Sequence, residues 1–71
     1  MAIIEQAQAK LGLHEPVELT NDVWGVKAGT RGYIVDAYPD RDSYTVEFLD
    51  ENGKEIAVIP LESRYLRPLL P

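Results

Sequence analysis

Apolar residues along the chain change their spacing once, near Pro16, from a helical period to an alternating one. Before that point Ile3, Ile4, Ala7 and Leu11 fall at i, i+1, i+4 and i+8, which is one stripe of a helix. Gly12 follows as a C-terminal cap, with Leu13 placed to cover the last turn. Glu5 in the first turn and Lys10 in the last suit the helix dipole. A helix of about ten residues is marginal by itself in water. The spacing therefore predicts a short N-terminal α-helix, residues 1–13, that packs on the rest of the chain or on a second copy; otherwise this stretch is a frayed tail.

After Pro16 the period is two. Val17 and Leu19 alternate with Glu18 in a first strand, and Thr20-Asn21-Asp22 breaks it. A loop through Val23, Trp24, Gly25, Val26 and Lys27 leads to Gly29. A second strand, about residues 30–38, is apolar on both sides, with Ile34 facing one way and Tyr33, Val35 and Ala37 the other. Gly32 inside it marks a bulge or a close backbone approach. The stretch "PDRDS" is a turn in which Pro39 sets φ and the Asp and Ser side chains bond nearby amides.

The third strand, residues 44–49, places Tyr44, Val46 and Phe48 inward and Thr45 and Glu47 outward. "DENG" reads as a hairpin with Asn52-Gly53 in a type I′ turn. In the fourth strand, about residues 54–59, Ile56 and Val58 are expected opposite the apolar face of the third, and Pro60 is expected to end it. One helical turn over residues 61–64 and a short strand at Tyr65, Leu66 and Arg67 complete the chain. The fold class implied is mainly β: a five-stranded SH3-like small barrel over residues 16–71, preceded by the helix.

Composition narrows the chemistry. A chain of 71 residues buries only about 60% of its unfolded surface, so its stability is marginal. With no cysteine and one histidine, disulfides and thiolate zinc sites are excluded. No apolar run approaches the roughly 20 residues of a membrane span. The start, "MAIIEQAQAKLG", lacks the basic and apolar regions of a secretory leader, so a cytoplasmic location is expected. Twelve acids against seven bases give a net charge of −5, which disfavours nucleic acid and anionic membranes and favours a basic protein partner.

Motifs for catalysis are weak. Gly29 and Gly32 lack the third glycine and the following helix of a phosphate loop, so they read as a strand-entry turn. His14, beside Glu15, has no nucleophile or second histidine to work with and reads as a surface residue. Asp40 and Asp42 with Glu47 lack the further acid and the glycine of a calcium loop, so no metal site is expected. No enzyme activity and no cofactor are expected.

The aromatics say more. Trp24 lies in the long loop after the first strand, where barrels of this kind place ligand contacts. Trp and Tyr dominate interface energetics because they bury large areas with few torsions to freeze. The candidate binding residues are Trp24, Tyr33, Tyr38, Asp40, Asp42 and Tyr65, an aromatic patch rimmed by Asp22, Asp36, Asp40 and Asp42. The competing reading packs Trp24 onto the N-terminal helix as part of the core.

The stretch from Gly29 onward, "GTRGYIVDAYPDRDSYTVEFLDENGKEIAVIPLESRYLRPL", resembles a family of small bacterial SH3-like barrels known only as a domain of unknown function. The resemblance covers about residues 17–69. It rests on Lys27, Gly29, Gly32, Ile34 and Val35, on the "YTVEFLDENGKEIAV" hairpin, and on the closing "LRPL". It implies no catalytic residues. The "GxxGxI" turn is more weakly similar to KOW-type barrels. Such barrels surround that turn with cations, because phosphate neutralisation supplies most of their affinity; here only Lys27 and Arg31 flank it. The function expected is a non-catalytic protein-binding module whose acidic face masks a basic partner, as an antitoxin, an immunity protein or an adaptor subunit would. The alternatives are an RNA- or ribosome-associated barrel using Lys27 and Arg31, and a docking subunit of an electron-transport complex. A homodimer through Ile3, Ile4, Ala7 and Leu11 is the expected self-association.

Overall fold

The computed structural model describes residues 11–69. Within them lie five strands: β1 (Pro16–Leu19), β2 (Arg31–Tyr38), β3 (Ser43–Leu49), β4 (Glu55–Glu62) and β5 (Leu66–Pro68). They form one antiparallel sheet in the order β4-β3-β2-β1-β5. The two edge strands, β4 and β5, do not pair, so the sheet is not closed by hydrogen bonds. Two 3-10 turns, Pro39–Arg41 and Ser63–Tyr65, join β2 to β3 and β4 to β5. There is no α-helix among the described residues.

Strand pleating explains the core. Val17, Leu19, Ile34, Val46 and Phe48 are fully buried at alternate positions of β1, β2 and β3. Leu11, Val26, Tyr44, Ile59, Leu61 and Leu66 complete the cluster. Gly32 sits in the inner row between Val17 and Phe48. A Cβ there would overlap the Glu47 carbonyl, so its role is the close backbone approach.

Several expectations change. The predicted helix lies outside the described residues as far as Lys10, and residues 11–13 are not helical. Gly12 does not have the positive φ of a helix cap; His14 does, at φ 67°. The Glu15 amide bonds the Gly12 carbonyl, while His14 donates to the Ile34 carbonyl and Glu15 accepts from the Ile34 amide. A tight turn thus feeds β1 directly. Leu11 is buried in the core of its own chain, with its amide donating to the Tyr44 hydroxyl at 3.1 Å. It is therefore not free to pair with a twin, and Ile3, Ile4 and Ala7 lie outside the described residues.

Two register shifts overturn the alternation read from the sequence. In β2, Ile34 pairs with Val46 and Asp36 with Thr45, so Val35 is an extra residue. Ala37 consequently turns toward the core, away from the side shared by Tyr33 and Val35. In β4, Ala57 pairs with Phe48 and Glu55 with Leu49, so Ile56 is extra. The inward residues of β4 are then Ala57, Ile59 and Leu61, while Ile56 and Val58 are exposed. Without each bulge an acid, Asp36 or Glu55, would point into the core, where an unpaired charge is costly. The bulges keep both outside.

Pro60 does not end β4; it pairs with Thr45. An edge strand uses only alternate amides in its ladder, so a proline whose nitrogen faces outward loses no bond. The hairpin at "DENG" exists, but its turn differs. Gly53 has φ 82° and Asn52 is not at positive φ, which excludes a type I′ turn. Asp50 organises the turn instead, accepting from the Asn52 amide at 2.8 Å and the Lys54 amide at 2.9 Å. Tyr65 belongs to the second 3-10 turn and β5 begins at Leu66.

Candidate binding groove

The long connection between β1 and β2 is built from its base outward. Gly29 donates to the Leu19 carbonyl at 2.8 Å and Leu19 to the Thr30 carbonyl at 2.9 Å, which closes the base. Asp22 braces the interior by accepting from the Ala28 amide at 2.8 Å. At the tip Val23 and Val26 exchange two backbone bonds of 2.9 and 2.8 Å around Trp24 and Gly25. Trp24 has φ 53° and Gly25 φ 83°, the signature of a type I′ turn.

That geometry is normal for Gly25 and unusual for Trp24. Left-handed backbone costs an ordinary L-residue roughly 1–2 kcal/mol, and a bulky one is a genuine outlier. Trp24 is nevertheless 80% exposed, so no packing on the described residues compensates it. The expectation that it fills the core is not met there.

The tip faces the second 3-10 turn. Thr20 donates to the Tyr65 carbonyl at 2.9 Å, which ties the base of the loop to that turn. Between them runs a groove of about 440 Å³ whose lining includes Trp24, Tyr65, Pro60, Asp22, Glu62 and Arg64. The Arg64 guanidinium lies 4.9 Å from the Tyr65 ring centroid and pairs with Glu62 at 2.8 Å. Both partners of that pair are well exposed, so it contributes at most about 1 kcal/mol. A cation from outside can compete for Glu62.

The other predicted residues go elsewhere. Tyr33 is on the outward face of β2. Tyr38 ends β2, its hydroxyl 3.1 Å from both Asp36 Oδ2 and Thr45 Oγ1. Asp40 is exposed in the first 3-10 turn. Asp42, at φ 53°, accepts from the Ser63 hydroxyl at 2.7 Å, and its carbonyl accepts from the Ser63 amide at 3.0 Å. It staples the two 3-10 turns together. Of the six, only Trp24 and Tyr65 line the groove, and of the expected acidic rim only Asp22 does. Pro60 and Glu62 join them because β4 continues past the proline. The sequence signal for this was the apolar-polar alternation of Ile59, Pro60, Leu61 and Glu62, which runs unbroken through Pro60.

A larger depression of about 720 Å³ lies against residues 28–31, 49–51 and Ile56. Its lining holds no aromatic side chain, and its one cation, Arg31, is opposed by Asp50 and Glu51. We assign the site to the smaller groove on chemistry. Among the described residues no cluster of His, Asp or Glu is placed to hold a metal, and no helix is long and apolar enough to cross a membrane.

A family model, described as a domain of unknown function (DUF4926), matches residues 13–68. No curated protein and no solved structure matches the chain.

Proposed function

We propose that this chain, which belongs to the DUF4926 family, is a non-catalytic, cytoplasmic protein-binding module with an SH3-like arrangement. Its acidic, aromatic groove covers a basic partner, in the manner of an antitoxin, an immunity protein or an adaptor subunit. The SH3-like arrangement is supported by the strand order and by the 3-10 turn before the last strand. One observation carries the functional reading: Trp24 is held exposed on a conformationally costly turn beside Tyr65, Pro60 and two acids. Strained, exposed backbone persists where a site uses it. A rigid aromatic anchor with few torsions to freeze is the kind of residue that dominates binding energy.

The mechanism is occlusion. The net charge of −5 draws a cationic surface inward and raises the on-rate. Asp22 and Glu62 then meet its Lys or Arg side chains while Trp24 and Tyr65 bury its apolar parts. Trp24 is the chain's only tryptophan, so its fluorescence reports the groove directly.

Titration with a capped, extended peptide of arginine and proline is expected to shift that emission, with affinity falling as salt is added. The Trp24→Asn variant, followed by calorimetry, is expected to bind at least about tenfold more weakly. An equal response to the same peptide with glutamate in place of arginine would overturn the reading. A response to single-stranded RNA alone would transfer it to the nucleic-acid alternative through Lys27 and Arg31.

A further inference from the structure

The outward face of β2, β3 and β4 carries a second arrangement that shares no residue with the Trp24 groove. Tyr33 pairs with Glu47 and Glu47 with Val58, so the three side chains form one transverse row. Tyr33 is 44% exposed and Val58 50%. Each bulge places another apolar side chain outside, Val35 at 39% and Ile56 at 50% exposure. Leu49, two positions along β3 from Glu47, is half-buried on the same face.

Glu47 thus sits on the central strand of the three, with Tyr33, Val58 and Leu49 on three sides, Thr45 on the fourth, and Asp36, Arg31 and Glu55 further out on the same face. Its carboxylate forms no ion pair and no hydrogen bond among the described residues. Arg31, on the same face of β2, stands opposite Leu49 and does not pair with it. Scattered apolar residues on a surface need no explanation, but five apolar side chains grouped about one acid do.

Charge selects the occupant. A second copy would set Glu47 against a chain that also carries −5, and phosphate would be repelled likewise. A guanidinium or ammonium on an aliphatic stem satisfies both parts, its head on Glu47 and its stem along the apolar rim. We propose that this face is a second docking surface, which receives an arginine or lysine of a basic protein onto Glu47 between Tyr33 and Val58. Apolar side chains flanking that cation would cover Val35 and Ile56. Water excluded by Tyr33, Val58 and Leu49 strengthens the central charge pair.

The test uses the full chain and a capped valine-arginine-valine tripeptide, followed by amide NMR shifts. A peptide with citrulline, which is neutral and nearly isosteric, replaces arginine as the control. Shifts are expected at Tyr33, Glu47 and Val58, and are expected to vanish with the citrulline peptide and in Glu47→Gln. Val58→Thr, a surface change that leaves the core intact, is expected to weaken the response. Trp24→Asn is expected to leave it unchanged, which separates this surface from the groove. Undiminished shifts in Glu47→Gln, shifts confined to Trp24 and Tyr65, or no response at saturating peptide would each overturn the proposal.

Discussion

Trp24 and Gly25 occupy a turn that Asn-Gly would fill with less strain. Replacing Trp24 by Asn removes the left-handed penalty of a bulky side chain and removes almost no packing. Trp24→Asn is therefore expected to raise unfolding free energy by about 0.5–1 kcal/mol, read from urea denaturation. Gain of stability with loss of peptide binding would mark Trp24 as retained for contact. A loss of stability would mean that the side chain packs on something after all.

At the scale of elements, turn chemistry and bulges decide what alternation leaves open. The β3–β4 hairpin depends on the Asp50 carboxylate, which holds the Asn52 and Lys54 amides. Asp50→Ala is expected to cost about 1–2 kcal/mol, whereas Asn52→Ala, which removes no recorded side-chain bond, should stay within about 0.5 kcal/mol. Thermal melts of the two variants compare them directly. Equal losses would restore the Asn-Gly turn suggested by the sequence. The bulges at Val35 and Ile56 were not legible, because "YIVDAY" and "KEIAVI" fit an unbroken period of two with the wrong residues inside. Only the partner strand settles the phase: Thr45 takes Asp36, and Leu49 takes Glu55. Avoiding a buried acid is the energy that sets it.

For the whole molecule, eleven buried apolar residues form the core of the described residues 11–69. A domain of this length has a total stability of about 4–10 kcal/mol. Phe48 is fully buried on the middle strand of the sheet's β2-β3-β4 part. Phe48→Ala is expected to cost about 3–5 kcal/mol, enough to lower the melting temperature by more than about 10 °C, read by circular dichroism. A cooperative melt close to that of the parent would mean that the core lies elsewhere. Most of this core was legible, since Val17, Leu19, Ile34, Tyr44, Val46 and Phe48 follow alternation without a break. Of the residues that line the groove, Trp24, Tyr65 and Asp22 are ones the sequence singles out.

What the sequence determined by itself is the β class, the number of strands, the inner face of β1 and β3, and the net charge of −5. These follow from local pattern and composition, which need no knowledge of neighbours. The tertiary structure decided which residues come to one place across the chain: Pro60 and Glu62 line one groove with Trp24, and Tyr33, Glu47 and Val58 form one row. It also gave the Asp42 carboxylate the distant Ser63 hydroxyl as its partner, where the sequence suggested nearby amides. Each outcome depends on register between strands distant in sequence, and a one-residue bulge reverses every side chain beyond it.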